Sequence, residues 1–322
     1  MSVIFIFLDG VGYGENDPER NPWADVDGDT LIAFKDNPPG IPGSVWRPLD
    51  ACLGIDGIPQ SATGTTSLLT GINASKALGK HLSGFPNNTL LEIIGKHSIH
   101  LQAKNRGIKS TFANAYNEAY FRRPPSRQST TTHAVHAAGI PFRMMDDYRN
   151  SRAVFHDLTG ELIRAQGNDD SLLIPDSIVK RGARVFHRNK DNFKDLLELS
   201  DMPLITPEEG GDRVVRIAAN YDLVVFEYVK TDMAGHAQNR AWANSVVDEI
   251  MRFLRRIVLK MDKNKDTLII ASDHGNSEDL SVKSHSMNPV PAVAVGRMAE
   301  QILDKTKKIT DLTPRILNVL GQ

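Results

Sequence analysis

Short apolar runs that stop abruptly at polar residues are the main pattern along this chain. The first is Val3–Leu8, which is rich in β-branched and aromatic residues and ends at Asp9. Two later runs, residues 222–228 and 267–272, have the same form. Runs without polar alternation are typical of strands that are buried on both faces of a parallel sheet. The pattern therefore predicts three buried strands, each followed by polar residues at its carboxyl end.

Helical spacing separates the second and third of these runs. Between Asn244 and Lys260 the apolar side chains recur every three or four residues, which predicts a helix. We also expect a helix to begin at Ser61 and a strand over Ser110–Tyr116. A strand, helix, strand order is typical of α/β proteins. We therefore predict an α/β fold with a mostly parallel central sheet, helices on both faces, and ligands at the carboxyl ends of the strands.

The middle of the chain does not continue this pattern. It contains a basic stretch with prolines, Arg122–Arg127, and the polar run Gly167–Asp170. A chain of 322 residues is long enough for one large domain with an insertion. We predict a catalytic core made of residues 1–116 and 206–322, with residues 117–205 as an insertion or small cap.

Composition argues against several classes of protein. The 38 basic and 39 acidic side chains give a net charge of -1, so we expect neither a nucleic acid nor a membrane as partner. Cys52 is the only cysteine, which excludes intrachain disulfides and a cysteine-rich zinc site. No apolar stretch reaches the roughly 18 residues of a membrane span, and the apolar opening lacks a signal-peptide pattern. We expect a cytoplasmic protein.

Three clusters of Asp and His follow the predicted strands. A carboxylate stands directly after the first strand, and an Asp and a His four residues apart follow the second. An adjacent Asp and His, with a later His, follow the third. Each cluster alone has a structural explanation, such as an Asp that stabilises a turn. Together they supply enough ligands for two metal ions: Asp9, Asp232, His236, Asp273, His274 and His285.

A hydroxyl-rich segment, Gln60–Gly71, contains the candidate nucleophiles. Its predicted position at the start of a helix favours a bound anion, because the first backbone N–H groups of a helix have no partner within it. A Ser or Thr near metal ions can attack a phosphate ester. A helix cap with polar neighbours would explain the same residues.

These motifs resemble the alkaline phosphatase superfamily, and within it the branch of cofactor-independent phosphoglycerate mutase and phosphopentomutase. The resemblance covers the start and the last third of the chain. It is carried by Asp9, by the Asp-x-x-x-His pair that ends at His236, by Asp273–Asn276 with Glu278, and by His285. It implies an alkaline phosphatase-like core and two divalent metal ions, with zinc or manganese favoured.

The resemblance also implies a role for each residue. The nucleophile would be Ser61, counted back from Thr70-Gly71, with Thr63 as the fallback. A sulfatase fits less well, because that branch needs Pro and Arg after its modified residue. One metal would be held by Asp9, Asp273, His274 and Ser61, and the other by Asp232, His236 and His285.

We therefore expect a metal-dependent enzyme that transfers a phosphoryl group from a small phosphorylated substrate through a phosphoserine. A phosphatase or phosphodiesterase is favoured, because the predicted insertion is shorter than the one in the mutase and lacks its Arg-rich segment. A phosphomutase shares the motif set and remains an alternative. A non-catalytic binding module that kept its metals for folding is another.

Four further side chains are candidates for substrate binding. Arg122, Arg123 and Arg127 could bind a second phosphate or a carboxylate through paired hydrogen bonds. His81 follows the nucleophile segment and could contact the active site. The alternatives are a solvated basic loop and a structural histidine.

Overall fold

The computed structural model describes residues 1–26, 30–167 and 201–322, except for the side chains of 165–167. Of the predicted polar run Gly167–Asp170, the structure describes only the backbone of Gly167. Residues 168–170 lie outside the described residues.

The described part of the chain contains eight strands. They are β1 (Val3–Leu8), β2 (Val45–Leu49), β3 (Ser110–Phe112), β4 (Ala115–Tyr116), β5 (Arg143–Met144), β6 (Leu223–Tyr228), β7 (Thr267–Ser272) and β8 (Val290–Gly296). Six of them form the central sheet in the order β2-β8-β7-β1-β6-β3, while β4 and β5 pair separately. Strand β1 runs parallel to β6 and β7, and β3 runs parallel to β6. Within this sheet β8 alone runs antiparallel to its neighbours, β2 and β7. The predicted, mostly parallel sheet is therefore confirmed.

Helices surround the sheet. They are α1 (Ser61–Thr70), α2 (Ala74–Leu78), α3 (Asn88–His97), α4 (Ile99–Asn105), α5 (Glu118–Phe121), α6 (Thr130–Ala138), α7 (Met145–Arg149), α8 (Glu161–Gly167), α9 (Pro207–Ala218), α10 (Lys230–Ala237), α11 (Arg240–Lys260), α12 (Ala299–Leu303) and α13 (Leu312–Leu320). Short 3-10 turns occur at Pro22–Asp25, Pro125–Arg127 and Ile309–Asp311. Among these described helices, none is both long and apolar enough to cross a bilayer.

Two hydrophobic cores lie on opposite faces of the sheet. In β1, the side chains of Ile4 and Ile6 point into a core shared with α9 and α11, while those of Phe5 and Phe7 point into a core shared with α1, α3 and α13. Successive side chains of a strand point to opposite faces, so a strand covered on both sides must be apolar at every position. This requirement explains why β1 was recognisable in the sequence, and the helices on both faces match the predicted fold.

Two predicted elements differ from the structure at their ends. Helix α11 begins at Arg240 rather than Asn244, because Asn239 caps it by accepting a hydrogen bond from the backbone N–H of Trp242. The predicted strand Ser110–Tyr116 is divided into β3 and β4. At the break, the side chain of Asn114 exchanges hydrogen bonds with the backbone of Glu227, in place of the regular strand pairing.

The region predicted as an insertion or small cap is described as far as residue 167. Its helix α6 packs against α1, α3 and α4. Its strand β5 pairs with β4, which follows directly on β3 of the central sheet. The division into a core and an inserted cap stays a prediction.

Candidate metal centre

The carboxyl ends of three parallel strands meet at one edge of the sheet. Leu8 at the end of β1 pairs with Tyr228 of β6 and with Ser272 of β7. Asp9 and Asp273 therefore leave the sheet side by side. Helix α10 begins two residues after β6 and carries the ligand pair of the second cluster to the same edge.

The first group of candidate ligands consists of Asp232, His236 and His285, whose ligand atoms lie within 4.8 Å of one another. The Nε2 atoms of the two histidines are 3.2 Å apart. The carboxylate of Asp232 lies 3.4 Å from each, through Oδ2 to His236 and through Oδ1 to His285. Ligands at about 2.0–2.1 Å from a tetrahedral zinc ion are separated by about 3.3–3.4 Å. The three side chains therefore fit the corners of such a site.

Both histidines of this group are oriented by their second ring nitrogen. Nδ1 of His236 lies 3.0 Å from the carbonyl oxygen of Lys283, and Nδ1 of His285 lies 3.0 Å from that of Pro59. A carbonyl can only accept, so each Nδ1 carries the proton and each Nε2 presents a lone pair to the site. This arrangement is the usual one around metal-binding histidines.

The second group surrounds Nε2 of His274. This atom is 3.2 Å from Oδ1 of Asp9, 3.6 Å from Oδ1 of Asp273 and 3.1 Å from Oγ of Ser61. Ligand atoms of Asp9, His274 and Asp232 lie within 4.8 Å of one another, so Asp232 belongs to both groups. Oδ1 of Asp9 is buried and has no well-aligned donor among the described residues, although Nε2 of His274 lies 3.2 Å away. This separation suits two ligand atoms of one metal ion.

The concentration of negative charge at this edge shifts the pKa values of its members. Burial raises the pKa of Asp9 well above its usual range, and the charges of Asp232 and Asp273 raise it further. Burial alone would lower the pKa of His274, but the neighbouring carboxylates, Asp273 foremost, raise it to about 10. The carboxylates of buried Asp273 and of partly buried Asp9 and Asp232 therefore attract positive charge to this site. A donor set of imidazole and carboxylate suits zinc or manganese.

Glu278 joins the loop after β1 to the loop between β7 and β8, which together carry Asp9, Asp273, His274 and His285. Its Oε2 accepts hydrogen bonds from the backbone N–H groups of Gly12 at 2.8 Å and Asn276 at 2.7 Å. Its Oε1 accepts from the hydroxyl of Ser286 and from Nδ2 of Asn288 at 3.1 Å. A Cβ atom on Gly12 would lie 2.0 Å from Oε1 of Glu278, so only glycine fits there without displacing the carboxylate. The sequence placed Glu278 in a motif but did not reveal this role.

The two candidate nucleophiles lie in different surroundings. Ser61 is the first residue of α1, is only partly buried, and lines a cavity beside the metal ligands. The hydroxyl of Thr63 is buried, donates to the carbonyl of Gln60 and accepts from the N–H of Leu82, both at 3.1 Å. Of these two candidate nucleophiles, Ser61 is the one whose hydroxyl faces the ligand cluster.

A cavity of about 640 Å³ opens beside the candidate ligands. Asp9, Asp232, His236 and His285 line it together with Ser61. The remaining lining combines aromatic rings with polar and charged side chains. Its members include Phe85, Tyr116, Tyr120, Arg123, Phe155, His156 and Glu227.

The predicted substrate-binding residues have different positions. Arg123 lines the cavity, with its guanidinium 5.0 Å from the ring centre of Tyr120. Arg122 and Arg127 are not among the residues that line it. His81 is also outside the lining: its ring nitrogens lie 3.2 Å from the hydroxyl of Ser75 and 3.2 Å from the carbonyl oxygen of Ile55.

The cavity contains one carboxylate that sequence reasoning missed. Glu227 lies inside strand β6, whose other members are apolar or aromatic. An acidic residue within a buried run was a signal that could have identified it, since carboxylates are rarely buried without a partner.

Residues 202–322 match the model of the Metalloenzyme superfamily. This segment contains Asp232, His236, Asp273, His274 and His285. Over 122 residues, 36% of the chain, the sequence is 30% identical to the 2,3-bisphosphoglycerate-independent phosphoglycerate mutase of Ruegeria pomeroyi. The matched stretch spans 24% of the length of that mutase.

Two solved structures resemble the fold over 99% of this chain. One is the PH0037 protein of Pyrococcus horikoshii, with a TM-score of 0.54, 11% identity and 97% of that chain covered. The other is a mutant of TAB5 alkaline phosphatase with Mg bound, with a TM-score of 0.50, 15% identity and 97% coverage. At these identities the likeness concerns the fold alone.

Proposed function

Because this chain belongs to the alkaline phosphatase superfamily of metalloenzymes, with phosphoglycerate mutases among its relatives, we propose that it transfers a phosphoryl group from a small phosphate ester to Ser61 and then to water. The predicted family is confirmed. The proposal rests on one observation above all: the hydroxyl of Ser61 lies 3.1 Å from Nε2 of His274, among the carboxylates of two ligand groups.

We assign the ligands of two divalent ions, zinc or manganese, from this geometry. Asp9, Asp273, His274 and Ser61 would hold one ion, and Asp232, His236 and His285 the other. Such ions neutralise charge on the attacking and leaving oxygens of a phosphoryl transfer. The carboxylate of Asp232 lies between the two groups, which supports a pair of ions over a single one.

The residues of the chain have distinct tasks in this reaction. The Oγ of Ser61 forms a bond to phosphorus while the bond from phosphorus to the ester oxygen breaks. The proton of the serine hydroxyl ends on the departing alcohol, and water then releases phosphate from the phosphoserine. The position of Ser61 at the first residue of α1 directs the unpaired N–H groups of the helix toward the anionic phosphoryl group.

A phosphomutase is the second candidate, favoured by the sequence match to a phosphoglycerate mutase. In that reaction the phosphoserine returns its phosphoryl group to another hydroxyl of the same molecule. Isomerised sugar phosphate without free phosphate would identify the mutase. A binding module that uses metals only for folding would show metal-dependent melting and no turnover of any ester.

The test compares Ser61→Ala with the native protein after loading with zinc or manganese. Release of phosphate from 4-nitrophenyl phosphate should fall by about 10³-fold or more in the variant, as expected for loss of a nucleophile. Ser245→Ala, an exposed serine on α11, is the matched control and should retain activity. Undiminished turnover by Ser61→Ala would disprove the assignment of the nucleophile.

A further inference from the structure

The cavity contains a buried carboxylate that neither the proposed metal ligands nor the nucleophile uses. Glu227 is 6% exposed and lines the cavity. Its Oε2 accepts a hydrogen bond from the hydroxyl of Thr131 at 2.8 Å and lies 3.4 Å from Nε2 of His156. The side chain of Asn114 holds the backbone of Glu227 on both sides, at 2.9 Å and 2.8 Å. The carboxylate is therefore held firmly in one place.

Only one oxygen of this carboxylate is occupied by protein groups. Within the described chain, the hydrogen bond and the histidine contact of Glu227 both go to Oε2, and Oε1 receives none. Oε1 is not one of the fully buried side-chain atoms that lack a hydrogen-bond partner, so it is accessible and has room for a donor. Since Glu227 lines the cavity, a bound molecule can supply that donor.

Glu227 is at a suitable distance from the proposed reaction centre. Phe7 pairs with Glu227 across neighbouring strands, and Asp9 follows Phe7 by two residues. Strand geometry then places the backbones of Glu227 and Asp9 about 8 Å apart. Both side chains line the same cavity, so an ester held at the metal ligands can reach Glu227 with a polar group of its alcohol a few bonds from the phosphate.

Aromatic rings form part of the cavity lining near Glu227. Tyr116 and Tyr120 line the cavity with ring centres 4.9 Å apart, and the ring of His156 lies 5.2 Å from that of Tyr116. Rings of this kind contact flat or ring-shaped groups of low charge well. A substrate carboxylate placed directly against Oε1 of Glu227 would be repelled by its charge, whereas the cation of Arg123 lies elsewhere in the same lining.

From this geometry we propose that Glu227 binds the alcohol part of the substrate through a hydroxyl or amino group. The substrate is then a phosphate ester whose alcohol donates a hydrogen bond at this point, and an ester with a carboxylate there is rejected. This inference rests on the proposed function, and it specifies the substrate class that the metal centre leaves open.

The test measures kcat/KM for four phosphate esters with the full-length, zinc-loaded protein. Ribose 5-phosphate offers hydroxyl donors, phosphoethanolamine offers an amine, phosphoglycolate offers a carboxylate, and 4-nitrophenyl phosphate offers none of these. The native protein should prefer one of the two donor esters, and the preferred ester identifies the donor. Equal or better turnover of phosphoglycolate would overturn the inference.

Glu227→Gln keeps the shape of the side chain and removes its charge. We expect kcat/KM for the preferred donor ester to fall about 10- to 100-fold, the range for a lost hydrogen bond to a charged group. The kcat/KM for 4-nitrophenyl phosphate should stay within about threefold of the native value, and the kcat/KM for phosphoglycolate should rise. An equal effect on all four esters, or none, would overturn the inference.

Glu249→Gln is the matched control. Glu249 is partly buried and is outside the cavity lining, and its oxygens bind Nζ of Lys230 at 2.7 Å and the hydroxyl of Tyr228 at 2.8 Å. Its substitution should leave the order of preference among the esters unchanged. A reversed order in Glu249→Gln would show that Glu227 does not set the preference.

The outcome for Glu227 is separable from that for the proposed function. If the native protein releases phosphate from none of the four esters, the proposed function fails. Equilibrium binding of ribose 5-phosphate and phosphoethanolamine then decides the inference. About tenfold weaker binding of one of them by Glu227→Gln supports it, and equal binding of both overturns it.

Discussion

The carboxylate of Asp232 should control the metal dependence of stability, because it belongs to both ligand groups. Its oxygens lie 3.4 Å from His236 and from His285, and it also lies within 4.8 Å of the ligand atoms of Asp9 and His274. Asp232→Asn should therefore weaken the binding of both ions. His236→Ala should weaken the binding of the first group's ion only.

The expected shift in melting temperature follows from mass action. An ion present at a free concentration of 100 times its Kd stabilises the folded state by about 2.7 kcal/mol. For a chain of 322 residues, the typical unfolding entropy amounts to about 0.7 kcal/mol per kelvin. One ion then raises Tm by about 4 °C and two ions raise it by about 8 °C.

Thermal unfolding of chelator-treated protein, with and without added zinc, measures this shift. We expect the native protein to show the full shift, His236→Ala about half of it, and Asp232→Asn almost none. Zinc analysis of the dialysed proteins should give two, one and no tightly bound ions in the same order. Asp248→Asn, an exposed carboxylate on α11, is the control and should behave as the native protein does.

A full shift in Asp232→Asn would refute its place in both groups. Absence of any shift in the native protein would refute the metal centre itself. A half shift in Asp232→Asn, equal to that of His236→Ala, would mean that Asp232 binds one ion only and that Asp9 and His274 hold theirs without it.

Two further predictions concern pH and packing. Burial lowers the pKa of His100 to about 4, whereas an unfolded histidine titrates near 6.5, so between these values the unfolded chain binds more protons and stability falls as the pH falls. The loss from this group should be about 2.5 kcal/mol between pH 7.5 and 4.5, and His100→Gln should remove it. Urea unfolding at both pH values measures the difference, and an unchanged pH slope in the variant would contradict the prediction. Gly12→Ala should push away the carboxylate of Glu278, lower stability by about 1–3 kcal/mol and weaken zinc binding, as seen by melting and zinc titration. Gly95→Ala, where an added Cβ meets nothing within 4 Å, is its control, and native zinc affinity in Gly12→Ala would count against the role of Glu278.

Several elements could be predicted from the sequence because their patterns are local. Strands β1, β6 and β7 are buried on both faces, so their apolar runs are unbroken or nearly so. Helix α11 has one buried face, which leaves a helical period. The sequence did not predict strand β8, because Pro289 and Pro291 are typical of a turn. In the structure, Pro291 lies inside the strand and pairs with Pro48 of β2.

The candidate ligands could also be predicted, because the carboxyl ends of parallel strands meet at one edge and polar residues directly after them must converge there. The polar residues of the cavity could not. Glu227 and Thr131 are distant in sequence and meet only because α6 packs on the helical layer above β6. Likewise, Arg123 reaches the cavity whereas Arg122 and Arg127 do not line it, although all three lie in one basic stretch.

By itself, the sequence determined the buried strands β1, β6 and β7, the helix α11 between the last two, and the kinds of atoms available to a metal. Periodicity and residue type are properties of short segments, and they do not depend on what lies across the sheet. Only the tertiary structure decided that Asp232 stands between two ligand groups, that Glu278 ties the loop after β1 to the loop between β7 and β8, and that Glu227 faces the cavity. Each of these depends on the packing of helices on the sheet, which sets distances between segments that local patterns leave free.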